Sequence, residues 1–133
     1  MRSSPDVGYN ADPNTGVAVY DSVPDSGFSG WDVVGGTSAG SPQWAGLTAI
    51  TDQMAGGRVG NINKSLYKLG KKSQGTYFHD VTTGNNTFTG TNADGNPTTV
   101  QGFSAGPGFD EATGWGTPIA GTLLPAIAKP GNG

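Results

Sequence analysis

Two hydrophobic periods alternate along the chain. Val17-Ala18-Val19-Tyr20 and Trp31-Asp32-Val33-Val34 are short β-rich runs, preceded by the turn clusters Asp12-Pro13-Asn14-Thr15-Gly16 and Pro24-Asp25-Ser26-Gly27. They predict strands over 17–21 and 31–35, paired as a hairpin or lying as neighbours. After Gly35-Gly36 the period lengthens: Trp44, Leu47, Ile50 and Met54 recur every three or four residues. This predicts a helix entered through Thr37 to Pro42, buried along one face and stopped by Gly56-Gly57. A second helix is expected from Asn61-Ile62-Asn63, with Asn63 as cap, through Leu66, Tyr67 and Leu69 to Gly70. Lys71 and Lys72 suit its negative end. From Gly84 to Thr99 the sequence is polar apart from Phe88 and reads as a long surface excursion. Pro118 to Ile127, with Leu123 and Leu124, predicts a last amphipathic helix ended by Lys129-Pro130-Gly131.

Composition narrows the class. Glycine or proline fills 33 of the 133 positions, close to the level of unpatterned disordered chains. Twelve aromatic residues and the apolar runs can nevertheless support a packed core, so the glycines read as punctuation in a single loop-rich globular domain. Only 13% of residues are charged and the net charge is −3, which leaves few ion pairs and no basic field for nucleic acid. No apolar stretch approaches the roughly 18 residues of a membrane span, so no membrane partner is expected. Met1-Arg2-Ser3-Ser4-Pro5-Asp6 lacks the apolar centre of a signal peptide, which leaves secretion open. The absence of cysteine excludes thiol catalysis, thiolate zinc sites and disulfides. The single histidine, His79, excludes a multi-histidine metal site.

Two stretches carry chemistry. Gly35-Gly36-Thr37-Ser38-Ala39-Gly40-Ser41-Pro42 sets a serine between a strand and a helix. There the N–H groups and dipole of the helix end can stabilise a developing oxyanion beside the hydroxyl. The competing reading is that Ser38 caps the helix. In the second stretch Gly106, Gly108 and Asp110 are spaced by two, among glycines that let carbonyls fold around an ion. Calcium takes six to eight oxygen ligands of this kind. The competing reading is a glycine turn in which Asp110 caps the next segment.

Gly-Thr-Ser with a proline four residues after the serine resembles the nucleophile motif of subtilisin-like folds, and among these that of the sedolisin family of serine-carboxyl peptidases. Further segments match that family in order. Pro5-Asp6-Val7 and Asp12-Pro13-Asn14-Thr15-Gly16 resemble the stretch before the nucleophile. Phe78-His79-Asp80-Val81-Thr82 with Gly84-Asn85 resembles the first calcium segment. Ala105-Gly106-Pro107-Gly108-Phe109-Asp110 with Thr113-Gly114-Trp115-Gly116 resembles the second. The resemblance runs over residues 5–128 and implies a secreted, calcium-dependent acid endopeptidase with a subtilisin-like three-layer α/β fold built on a parallel sheet. It implies Ser38 as nucleophile. For one Ca2+ it implies the carboxylates of Asp80 and Asp110 and the carbonyls of Val81, Gly106 and Gly108. The connection between the calcium segments departs from the pattern, being lengthened around Asn92-Ala93-Asp94-Gly95. An EF-hand reading there fails because no glutamate closes the loop. His79 follows Ser38 by 41 positions, whereas the subtilisin histidine precedes the serine, so it is expected to be structural and partly buried near the metal. In acid an imidazole is protonated, while a carboxylate still serves as base.

The resemblance also implies what is missing. Sedolisins pair the serine with a glutamate base, an aspartate that orients it and an oxyanion-hole aspartate, all upstream of the nucleophile. Only 37 residues precede Ser38, and the sole glutamate, Glu111, lies in the second calcium segment. Asp6, Asp12, Asp21, Asp25 and Asp32 precede the serine, yet none sits in a matching catalytic motif. Residues 1–133 are therefore expected to be the C-terminal third of a sedolisin-type catalytic domain, inactive alone. Its partners are then the missing N-terminal part of that domain and a protein or peptide substrate. The alternative is a non-catalytic calcium-binding module of peptidase ancestry. With most of the sheet absent, the isolated chain is expected to expose an apolar sheet edge and face and to self-associate.

Overall fold

A hairpin, two long helices and a short third helix organise the chain; the structure, a computed structural model, describes residues 4–25 and 27–129. Three sequence expectations touch residues outside that range: the reading of Met1-Arg2-Ser3, Ser26 of the second turn cluster, and the Pro130-Gly131 stop. β1 (Val17–Asp25) and β2 (Phe28–Val34) form an antiparallel hairpin that pairs Val17 with Val34, Ala18 with Val33 and Tyr20 with Trp31. α1 (Thr37–Ala55) and α2 (Asn63–Tyr77) follow. The short β3 (Phe78–His79) comes next, then β4 (Phe88–Thr91) and β5 (Pro97–Val100). β6 (Thr117–Pro118) pairs back with β3 and leads into α3 (Ala120–Ile127).

The mixed α/β content agrees with expectation; the parallel sheet is not formed among the described residues. All three strand pairs, β1–β2, β3–β6 and β4–β5, are antiparallel. Parallel neighbours need a crossover of a dozen or more residues. β2 leads into such a helix, α1, but no described strand returns beside it.

The core forms where α2, α3 and the β3–β6 pair meet. Leu66, Leu69, Phe78, Trp115, Leu123 and Ile127 are buried together, and Trp44 of α1 packs on their edge. Leu123 is wholly buried. The approach of α2 to Trp115 requires a glycine: a Cβ at Gly70 would fall on the indole ring.

α1 begins and stops where the sequence predicts, with Gly56 in the left-handed region (φ 70°) closing it. Its expected buried face is not realised. Trp44 and Leu47 are half-buried, whereas Ile50 and Met54 are exposed. Among the described helices only α3 makes an extensive contact with it, which leaves Ile50 and Met54 uncovered by any described element. The hairpin tells the same story. Ala18, Tyr20, Trp31 and Val33 lie on one face and Val17, Val19 and Val34 on the other, and all seven are exposed. Apolar residues on both faces suit a strand pair covered from both sides.

Two other expectations are corrected. α2 does not end at Gly70 and Asn63 is not its cap: Ile62 takes that position, and Asn61 Oδ1 accepts from the Asn63 N–H at 3.0 Å. The helix runs past Lys71 and Lys72 to Tyr77, broken at Ser73 (φ −169°, ψ 81°). The polar excursion is in part a regular hairpin, β4–β5. Threonines favour strands there, and Asn92 Oδ1 closes the turn by accepting from the N–H groups of Asp94 and Asn96 at 3.1 and 2.8 Å.

Candidate active site and cation site

Ser38 stands in the first turn of α1, and the preceding turn presents it. Gly36 is the N-cap residue with φ 126°, and its carbonyl accepts from the Ala39 N–H at 2.9 Å. Behind it the Asp12–Gly16 turn is packed on the strand end, where a Cβ at Gly35 would strike the Asp12 carbonyl and Pro13. That turn is closed by its own side chain: Asp12 Oδ1 accepts from the Asn14 N–H at 2.9 Å, and the same bond holds the Asp12 carboxyl below its ordinary pKa. Ser38 is exposed and makes no hydrogen bond to a described residue. The helix has no side-chain cap, which removes the helix-cap reading of this serine. Pro42, inside the helix, lacks the N–H that α-helical geometry would aim at the Ser38 carbonyl. The Ser38 N–H is one of the first-turn donors that a helix leaves unpaired. The residue thus offers a free hydroxyl and a free amide on one exposed edge.

Beside this edge lies a cavity of about 470 Å³, walled by the Pro5–Ala11 stretch, by Gly36, Thr37, Ser41 and Trp44, and by Ala112 and Thr113. It joins the head of α1 to the loop of Asp110. No described carboxylate or imidazole is bonded to Ser38. His79, expected partly buried, is exposed: β3 is a two-residue edge strand, and it pairs His79 with Thr117. Glu111 is half-buried in the loop after Asp110.

The two segments expected to hold calcium are stitched together by β3–β6, which sets Asp80 beside Gly116. Gly116 (φ 91°) comes so close to the His79 carbonyl that a Cβ would overlap it. From there the 106–110 loop turns back onto Asp80, whose Oδ2 accepts from the Gly108 N–H at 2.9 Å. Asp110 Oδ2 accepts from the Gly106 N–H at 3.0 Å, and Oδ1 accepts from those of Ala112 and Thr113 at 2.9 and 2.7 Å. Burial pushes the Asp110 carboxyl up, but the N–H groups of Gly106, Thr113 and Ala112 outweigh it and hold the group below its ordinary 3.8. Phe109, between Gly108 and Asp110, anchors the loop in an aromatic cluster with Tyr67 and Trp115, at centroid distances of 5.6 and 5.3 Å.

Of the five expected ligand residues, the structure gathers Asp80, Gly106, Gly108 and Asp110 around one loop. Val81 is tied to it only by its place next to Asp80. Among the described residues no three acidic or histidine side chains cluster where they could hold a metal ion; the carboxylates at this loop are those of Asp80 and Asp110. A third side chain enters that had no signal in the sequence. Gln74 Nε2 donates to Asp80 Oδ1 at 2.9 Å and to the Trp115 carbonyl at 3.0 Å, with the Gly108 carbonyl at 3.4 Å. Oxygens from three stretches, Asp80 Oδ1 and the Gly108 and Trp115 carbonyls, thus surround Gln74 Nε2, and they are donors of the kind an oxygen-seeking cation takes.

The Asp110 hydrogen bonds have a pH signature. A carboxyl whose pKa is lowered in the folded state contributes stability above its unfolded value and loses it as pH falls through the folded one. With calcium chelated, the wild-type chain should melt above Asp110→Asn at about pH 6, and the gap should close below about pH 4. A gap that stays constant down to about pH 2 refutes this account of the carboxyl.

No family model matches the chain. Curated proteins do. Kumamolisin of Bacillus sp. (strain MN-32) is 40% identical over 126 residues, which is 95% of this chain and 20% of kumamolisin. Sedolisin of Pseudomonas sp. (strain 101) is 30% identical over 132 residues, 99% of this chain and 20% of that protein. The chain belongs to the sedolisin family. Tripeptidyl-peptidase 1 of Mus musculus is 35% identical over 102 residues, 73% of this chain and 16% of the relative. The chain therefore spans about a fifth of the length of the sedolisin-family proteins it matches, and these relatives are serine-carboxyl peptidases.

Proposed function

We propose that this chain is the C-terminal part of a secreted sedolisin-type peptidase, supplying the nucleophile Ser38 and a site for one Ca2+ held by Asp80, Val81, Gly106, Gly108 and Asp110. The observation that carries the reading is the uncapped, exposed Ser38 at the head of α1 in a chain 40% identical to kumamolisin over 95% of its length. In that reading the Ser38 hydroxyl attacks the scissile carbonyl of a protein or peptide, and the amine leaves as the acyl-serine forms. The Ser38 N–H faces the oxyanion. The proton passes to a carboxylate from the part of the domain N-terminal to this chain, since no described acid is bonded to Ser38. Calcium, when bound, cross-links the segments around Asp80 and Asp110 by charge. Their separation of 30 residues in sequence makes that loop closure stabilising. The exposed faces of β1–β2 are the surface that the rest of the domain covers, and in the isolated chain the surface of self-association.

That no described carboxylate is bonded to Ser38 suits a second reading as well, a calcium-binding module that keeps only the ancestry of a peptidase. One comparison separates them. The 133-residue chain should cleave no denatured protein from about pH 2 to 8. Joined to the sequence encoded upstream of it, the protein should cleave in acid and lose activity when calcium is removed. Cleavage by the chain alone would reveal a base within it. An extended protein that binds calcium and never cleaves supports the module.

A further inference from the structure

Gln74 has no counterpart in the motifs that relate this chain to the sedolisins. The break at Ser73 takes the chain out of helical geometry immediately before it, and its carboxamide meets the loop that follows β3. There Nε2 lies 2.9 Å from Asp80 Oδ1, 3.0 Å from the Trp115 carbonyl and 3.4 Å from the Gly108 carbonyl. An amide NH2 has two hydrogens, so three acceptors exceed what it can satisfy. Asp80 also brings a full negative charge to a neutral partner. A surplus of oxygens around one point, one of them charged, is the demand of a cation rather than of an amide.

Resting on the calcium reading above, we propose that Gln74 is a switching ligand of this site. Without metal its NH2 stands among the Asp80, Gly108 and Trp115 oxygens and keeps them gathered. With calcium bound, the carboxamide turns about Cγ–Cδ and presents Oε1 instead. The turn is accessible because that terminal torsion is broad, and the amide oxygen and nitrogen are nearly equal in size, so the surrounding packing is unchanged. Glutamine carbonyls are ordinary calcium ligands, while an N–H donor facing a dication is repelled. Trp115 then contributes its carbonyl beside the expected set. One side chain serves both states, which spares the metal-free site the repulsion among its gathered oxygens.

The test is calcium titration by calorimetry, with thermal unfolding in chelator, on the wild-type chain and on Gln74→Glu and Gln74→Met. Gln74→Glu is the same size and replaces the donor with a carboxylate. It should bind calcium about tenfold more tightly, yet melt at a lower temperature than wild type in chelator. Gln74→Met should melt lower in chelator and bind about tenfold more weakly. Opposite movements of affinity and metal-free stability in Gln74→Glu are what a purely structural strut does not produce. In the wild-type chain the Gln74 side-chain NH2 resonances should shift on adding calcium, a measurement independent of either variant's folding. Calcium binding with unchanged affinity in both variants, or with unmoved NH2 resonances, overturns the inference and leaves the calcium site standing. A wild-type chain that takes up no calcium overturns both.

Discussion

Replacing Ser38 by alanine in the protein extended upstream should lower peptide-bond turnover by at least about 10³-fold and leave its melting temperature nearly unchanged. The size follows from loss of the covalent route: without the hydroxyl no acyl-enzyme forms, and what survives is catalysis by binding and oxyanion contacts alone. The small thermal effect follows from the geometry. Ser38 is exposed, makes no hydrogen bond to a described residue and lies in a helix with no side-chain cap, so alanine removes no hydrogen bond among the described residues. Such surface substitutions usually stay within about 0.5 kcal/mol. A capping serine makes the reverse forecast, about 1 kcal/mol of stability lost with the rate per folded molecule retained. Rate and melting temperature measured on one preparation decide, and a variant of near-normal rate ends the assignment of Ser38 as nucleophile.

The second large effect belongs to Asp110. Calcium at a thousand times its dissociation constant stabilises a folded protein by about 4 kcal/mol. Asp110→Ala should abolish that increment, because it removes one of only two expected carboxylates. The variant should also be weaker in chelator. It strands the N–H groups of Gly106, Ala112 and Thr113, which now share one carboxylate, at a cost of about 1–3 kcal/mol. Thermal unfolding with and without calcium separates the two losses. A calcium increment in Asp110→Ala equal to that of wild type removes this residue from the site.

How much of the molecule is legible in its sequence depends on the range of each interaction. The hairpin strands and α1 are readable because turn residues bound β-branched runs and because apolar spacing of three and four is a local signal, closed by a glycine at position 56. The order and identity of the loop around Asp110 are readable from its glycines. The direction of strand pairing is not, since it depends on which strand returns to β2 rather than on β2 itself. The exposure of Ile50 and Met54 is equally hidden, because periodicity says that a face is apolar and not what lies against it. The hairpin β4–β5 escapes because its threonines are polar as well as β-branched. Gln74 is invisible for another reason: its place in the site depends on a break at Ser73, in a run of lysine, serine and glycine that carries no pattern.

The three tryptophans fall in three different settings. Trp31 is 69% exposed on the hairpin with Tyr20 edge-on at 5.3 Å, Trp44 is half-buried at the head of α1, and Trp115 is 7% exposed with its carbonyl on Gln74. In fluorescence these become separate optical channels. Trp31 should emit as a hydrated indole, open to acrylamide and fed by energy transfer from Tyr20, while Trp115 should emit at shorter wavelength and be shielded. Covering of the hairpin by another polypeptide then registers as a blue shift and loss of quenching in the first channel. Events in the loop of Asp110 register in the second, on the same unlabelled sample.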